Sequence, residues 1–261
     1  MSSEQGQVEH PRRHMRHLAG ARHLMGPTPL SVGHDTLRFR KARHWAVVDT
    51  EGRGMGRSSF WLMGALGDTD VAELAPLAVP AIEATAAWST AVGTWSRWER
   101  DAARGGGAVT VWREDGYNTE AVLHLYNMVN DSAFDAMDTT GKLHVMDWWD
   151  RLDTDTVEPF FESVRKDNPV AALFHGLGPE RAALLPGWVG DAVFPADEVR
   201  RRLPAAEAAL AVSGAERERA LARIDDWPGE KEAEALLDGP LRVWRETAEA
   251  GLGLLASRIW H

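Results

Sequence analysis

Four polar side chains recur at helical spacing through the segment TEAVLHLYNMVND. Glu120, His124, Asn127 and Asp131 stand at i, i+4, i+7 and i+11, which on a helix is a single stripe. Nearly every other position there (Ala121, Val122, Leu123, Leu125, Tyr126, Met128, Val129) is apolar or aromatic. Such a helix is covered on most sides, so its stripe is either a narrow solvent seam or the wall of a cavity. A buried stripe demands partners, because an unpaired charge in the interior is very costly. A carboxylate and an imidazole one turn apart can pass a proton between them or share a metal ion. The acid–base reading makes Glu120 and His124 the catalytic pair.

Downstream, KLHVMDWWDRLDTDTVEPFFE adds His144, Asp147, Trp148 and Trp149. Asp147 becomes a third candidate for proton transfer, and Trp148 and Trp149, with Asn127 and His144, the candidate walls for a substrate. Tryptophan faces suit a flat or cationic molecule. No single regular element places His144, Asp147 and Asp150 on one side, so the segment assigns no metal site. A calcium loop also fails, because Val157 follows Asp153 and Asp155 and no glycine makes the tight turn. Residues 131–162 hold nine acids against Lys142 and Arg151, a balance of −7. That charge supports an alternative: an acidic face with aromatic anchors that neutralises a basic protein partner, as immunity-type proteins do.

Composition bounds both readings. A chain of 261 residues with 44% apolar content can bury a full core. The sequence holds no apolar run of membrane-spanning length, and no secretory signal is read at its start. With zero cysteines it offers no disulfide, thiolate metal site or cysteine nucleophile. The expectation is a cytoplasmic protein with no membrane partner. A net charge of −10 gives no general pull toward nucleic acid. Residues 1–44 carry eight bases and three acids, a local +5, so the remainder carries −15. Residues 1–34 therefore read as a basic arm that docks on its own body or on a second copy of the chain, and residues 35–261 as one globular domain. Hydrolase, zinc-peptidase and P-loop signatures are missing, and no motif assigns a cofactor.

The elements that must position the candidate residues read as α+β, a mixture of helices and short strands. Helices are predicted over 71–104, 119–128, 158–164, 197–211, 215–224 and 236–250, from apolar periodicity and Ala-rich spacing. AVTVW, LHVMDWW, GWVGDAVF and GLLASRIW read as strands, FWLMGAL as a buried strand or a helix start, and PVAALFHGLG as a short apolar element entering a loop. WERDAARGGGAVTVW and WRETAEAGLGLLASRIW share Trp, Ala, Gly and Gly at matching offsets, which implies two related helix–turn–strand halves. VDTEGRGMGRSS resembles in part the acetyl-CoA pyrophosphate loop of N-acetyltransferases, matching at Arg53 and Gly56. Ser58 departs from that pattern and few strand-like residues precede it, so a glycine hairpin is the reading taken. The arm is open to test: limited proteolysis should cut first after Arg12, Arg13, Arg16 or Arg22 and leave a folded remainder. Resistance there, with cutting at internal loops, would make the arm integral.

Overall fold

The computed structural model describes residues 58–105, 109–114, 116–130, 132–134, 137, 147–165 and 167–260. The arm, the Gly-rich loop before Ser58 and His144 lie outside the described residues. Strand β1 (Ser58–Leu66) is the FWLMGAL run. Helices α1 (Asp68–Ala87) and α2 (Ser89–Gly105) follow, broken at Trp88, whose ψ of 129° is extended. The single long helix expected over 71–104 is therefore two. A two-strand hairpin, β2 (Trp112–Arg113) with β3 (Gly116–Tyr117), leads into α3 (Thr119–Asn130). After a short helical turn through Trp149–Arg151 come β4 (Phe160–Arg165), α4 (Pro169–Leu177) and α5 (Pro179–Ala182). Strand β5 (Ala192–Phe194), helices α6 (Ala196–Leu210), α7 (Gly214–Asp226) and α8 (Ala233–Ala250), and strand β6 (Gly253–Trp260) complete the α+β fold.

The strands form one antiparallel sheet in the order β4-β1-β6-β5. In the central pair, β1 runs against β6 from Ser59↔Trp260 to Leu66↔Gly253. Side chains alternate across the sheet. Trp61, Met63, Ala65, Leu254 and Ala256 enter a core built with α2–α4 and α6–α8. Leu62, Leu66, Leu255 and Ile259 enter a second core with α1, Phe134, Trp148 and Trp149. Because both faces are covered, β1 and β6 read as nearly continuous apolar runs rather than as alternating ones. No helix among the described residues is long and apolar enough to cross a membrane.

Several expectations are corrected. The helix expected over 158–164 is strand β4, which sends Phe160 to the first core and Phe161 toward the second. The short apolar element at 169–177 is a helix with all nine residues buried, and the Asn168 side chain caps it by accepting from Val170 N. Asp147 to Arg151 turn helically rather than ending a strand. The two halves are not a structural repeat: among the described residues of 105–113, only Trp112–Arg113 is strand, in a separate hairpin, whereas after α8 the eight-residue β6 lies inside the main sheet.

One polar group is set into the first core. Arg258 on β6 and Asp191 before β5 are 1% and 0% exposed, and they pair at 2.9 Å. Asp191 also accepts from Arg258 N (2.8 Å), Ala133 N (3.0 Å) and Ser132 Oγ (3.3 Å). Arg258 Nη1 donates to Val129 O, at the end of α3, and Asn168 Nδ2 donates to the same carbonyl at 3.1 Å. These donors fill lone pairs that a helix end leaves open. Burial raises the Asp191 carboxyl pKa, against the opposing pull of Arg258. Removing one partner of such a pair strands a buried charge, at a cost of about 3–5 kcal/mol. Asp191→Ala should lower unfolding free energy in urea by that amount, and Asp191→Ala with Arg258→Met should recover part of it. Loss below about 1 kcal/mol for the single variant would show that the pair does not organise the core.

Candidate functional site

Helices α2 and α3 pack antiparallel along two polar stripes. On α2 the stripe is Thr90, Thr94, Arg97, Asp101 and Arg104, at i, i+4, i+7, i+11 and i+14. On α3 it is Glu120, His124 and Asn127. The register is fixed at one point by His124 Nδ1 and Asp101 Oδ2, 3.2 Å apart, with side chains 28% and 36% exposed. Asp101 also meets Arg104 at 3.4 Å. One helical turn away, about 5–6 Å along the axis, Arg97 and Asn127 enter a common cavity.

That cavity holds about 240 Å³. Thr85 at the end of α1 and Thr90, Ala91, Thr94 and Arg97 on α2 form one side. Asn127, Met128 and Asn130 on α3, together with Trp188, form the other. Trp188 packs against both cores, so the cavity sits where the chain passes from one sheet face to the other. Two of the three threonine hydroxyls already donate within their helices, Thr85 to Ala81 O at 2.9 Å and Thr94 to Thr90 O at 2.8 Å. Arg97 Nη2 donates to Thr94 Oγ1 at 3.2 Å. Asn130 Oδ1 is buried and has no partner among the described residues. No acid is among the described lining residues.

The sequence candidates divide accordingly. Asn127 lines the cavity and His124 lies one turn from it, paired with Asp101. Glu120, at the first turn of α3, is exposed. Trp148 and Trp149 are 5% and 8% exposed in the second core, on the far face of the sheet. Trp149 Nε1 donates to Ser257 Oγ at 3.1 Å, and the Arg151 guanidinium lies 4.4 Å over the Trp148 ring while pairing with Asp70 and Glu73. The structure thus does not bring the tryptophan pair to Glu120 and His124. Asp147 is exposed beside them. The residues that sequence reasoning missed are Arg97, Asp101, Thr94 and Trp188. The α2 stripe was visible at the same spacing as the α3 stripe, but was hidden by the apolar period of Val92, Trp95 and Trp98.

A second group of shifted acids and bases lies where α4 meets α7. Asp167 Oδ1 accepts from Trp227 Nε1 (2.8 Å) and Asn168 N (2.7 Å), and burial raises its pKa against those two hydrogen bonds. Lys231 Nζ donates to the carbonyls of Trp227 and Gly229, and burial lowers its pKa. His175 is 2% exposed, its ring centroid 5.4 Å from that of Trp227. Burial first, then the charges of Arg223 and Lys231, lower its pKa to about 4. These contacts clamp α4 to α7 and the turn beyond it, and we read the group as structural.

Among the described residues, no group of three His, Asp or Glu side chains is placed to hold a metal ion. Compared with known proteins, the chain matches no family model, no curated protein and no solved structure.

His175 makes a signed forecast. Its folded pKa lies below the ordinary histidine value, so the unfolded chain binds the extra proton as pH falls from 6.5 toward 4. Stability contributed by the neutral ring is therefore complete above pH 6.5 and declines below it. By pH 4.5 the loss is about 2–3 kcal/mol. His175→Leu should flatten the decline by roughly that much in urea unfolding at pH 7 and pH 4.5. The raised Asp167 acts with the opposite sign in both proteins and cancels in the comparison. Equal slopes would place the acid sensitivity elsewhere.

Proposed function

We propose that this chain binds and acts on a small molecule in the cavity between α1, α2 and α3, with His124 and Asp101 as the proton-transfer pair beside it. One observation carries the reading: the polar stripe of α3 meets a matching stripe of α2, and the two open into a polar cavity rather than closing on each other. A volume near 240 Å³ is below the usual drug-sized range and suits a single-ring molecule. With Nδ1 directed at Asp101, the tautomer protonated at Nδ1 donates to the carboxylate and leaves Nε2 to accept a proton. The carboxylate holds the ring in its orientation, as an acid does behind a histidine base. The interaction-protein alternative is less well supported, since its aromatic anchors, Trp148 and Trp149, are committed to the second core.

A fragment library screened against the full chain by 15N-edited NMR tests the proposal. Hits should perturb the Trp188 indole N–H together with the amides of Thr90, Arg97 and Asn127. Ala91→Trp, which fills the cavity from the first turn of α2, should abolish those shifts while the melting temperature stays within a few degrees. Hits that scatter over the surface, or that survive Ala91→Trp, would overturn it.

A further inference from the structure

We infer that the molecule taken by this cavity is an anion, a planar carboxylate carried on a flat ring, with Arg97 as its anchor and Trp188 as its stacking wall. The inference rests on the proposed site and adds the class of ligand.

Charge is the first ground. Among the described residues the only hydrogen bond of Arg97 is to the Thr94 hydroxyl, and no carboxylate pairs with it. Arg151, Arg181, Arg217, Arg242 and Arg245 each meet an acid within 3.0 Å; Arg100, Arg200, Arg219 and Arg223 share with Arg97 the lack of such a pair among the described residues, but of these five only Arg97 lines the cavity. Thr94 orients the guanidinium without neutralising it, leaving its remaining N–H groups to form the fork that matches a carboxylate.

Geometry adds to that charge from a separate source. Thr90 and Ala91, in the first turn of the 17-residue α2, line the same cavity. The first-turn N–H groups of a helix have no intrahelical acceptor, and the macrodipole makes that end positive. The last turns of α1 and α3, at Thr85 and at Asn127 to Asn130, bring their negative ends to the same volume, so the full charge of Arg97 decides the sign, and no acid is among the described lining residues.

The remaining walls describe the rest of the ligand. Trp188 is half-buried, its ring held between the two cores and 6.1 Å from Trp95, and offers a face for a flat ring. The buried, unpartnered Asn130 Oδ1 calls for a donor, so a ring hydroxyl or amine is favoured over a plain hydrocarbon edge.

Three probes of one shape test the inference: benzoate, benzamide and benzylamine, titrated into the full chain at fixed ionic strength and followed by the Trp188 indole resonance. Benzoate should bind at least tenfold more tightly than either of the others. Arg97→Gln should weaken benzoate at least tenfold and leave benzamide within about twofold, and Arg97→Lys should restore part of the loss. Arg97 is exposed on the helix surface, so neither variant threatens folding. Equal binding of benzoate and benzamide, preference for benzylamine, or indifference of benzoate to Arg97→Gln would overturn the anionic class while leaving the cavity as the site. Absence of any shift at Trp188 with all three would remove the site reading itself.

Discussion

The buried pair Asp191–Arg258 is the constraint on which the rest of the architecture depends. Five donors from two stretches of chain converge on one carboxylate, and with Asp191 itself they tie β6, the turn before β5 and the segment after α3 to a single point. A buried ion pair is weak evidence for net stability, since two apolar residues of similar shape often do as well. Its contribution here is positional. Arg258 holds Val129 O, and the neighbours of Val129 in sequence, Met128 and Asn130, are both cavity residues. Asp191 closes a four-residue turn with Trp188, through Trp188 N to Asp191 O and Asp191 N to Trp188 O, each at 2.9 Å. Two walls of the cavity are thereby referenced to the same buried charge.

The cavity owes its existence to a change of sheet face. Helix α1 covers one side of the sheet and α2 and α3 contribute to the other, so the α1–α2 junction at Trp88 must cross between them. Apolar packing is continuous within each core and weakest at the crossing, where Thr85, Thr90 and Thr94 replace aliphatic residues. Threonines whose hydroxyls bond back to their own helices can line such a gap without leaving a donor unmet. Arg97 uses one N–H group in this way, on Thr94, and Asn130 Oδ1 has no partner among the described residues.

How much of this was legible in sequence follows from which forces act locally. The helices around Glu207, Arg223 and Trp244 are readable because each has one apolar stripe against one core. Strand β4 is not, because PFFESVR is short and contributes to both faces, so it shows neither clean period. The buried α4 is apolar throughout, and periodicity cannot classify an element covered on every side. The α3 stripe was readable, but its partner stripe in α2 is interleaved with Trp95 and Trp98, whose packing dominates the pattern. For Trp148 and Trp149, a short separation from α3 limits distance along the chain and says nothing of which sheet face they reach. Among the described residues, six tryptophans are buried in the two cores, so richness in tryptophan reflects the packing demands of a sheet covered on both sides more than a ligand.

Trp188 is the exception, and its turn shows a sign of being held against local preference. Val189 and Gly190 both have positive φ, 48° and 88°, the geometry of a two-residue hairpin turn that favours Asn or Gly at both places. Glycine fits the second place, where a Cβ would come within 2.9 Å of Val170 and 3.2 Å of the Trp61 indole nitrogen. A β-branched residue at the first place is an outlier, and such strain costs about 1–3 kcal/mol. It persists because the surroundings over-determine it: the Val189 side chain is 5% exposed in the first core, Gly190 O accepts from Trp61 Nε1 at 2.9 Å, and Asp191 is locked to Arg258. A relaxed turn would free the residue that precedes it. The strained one fixes the Trp188 ring at the seam between the cores, where it closes the cavity.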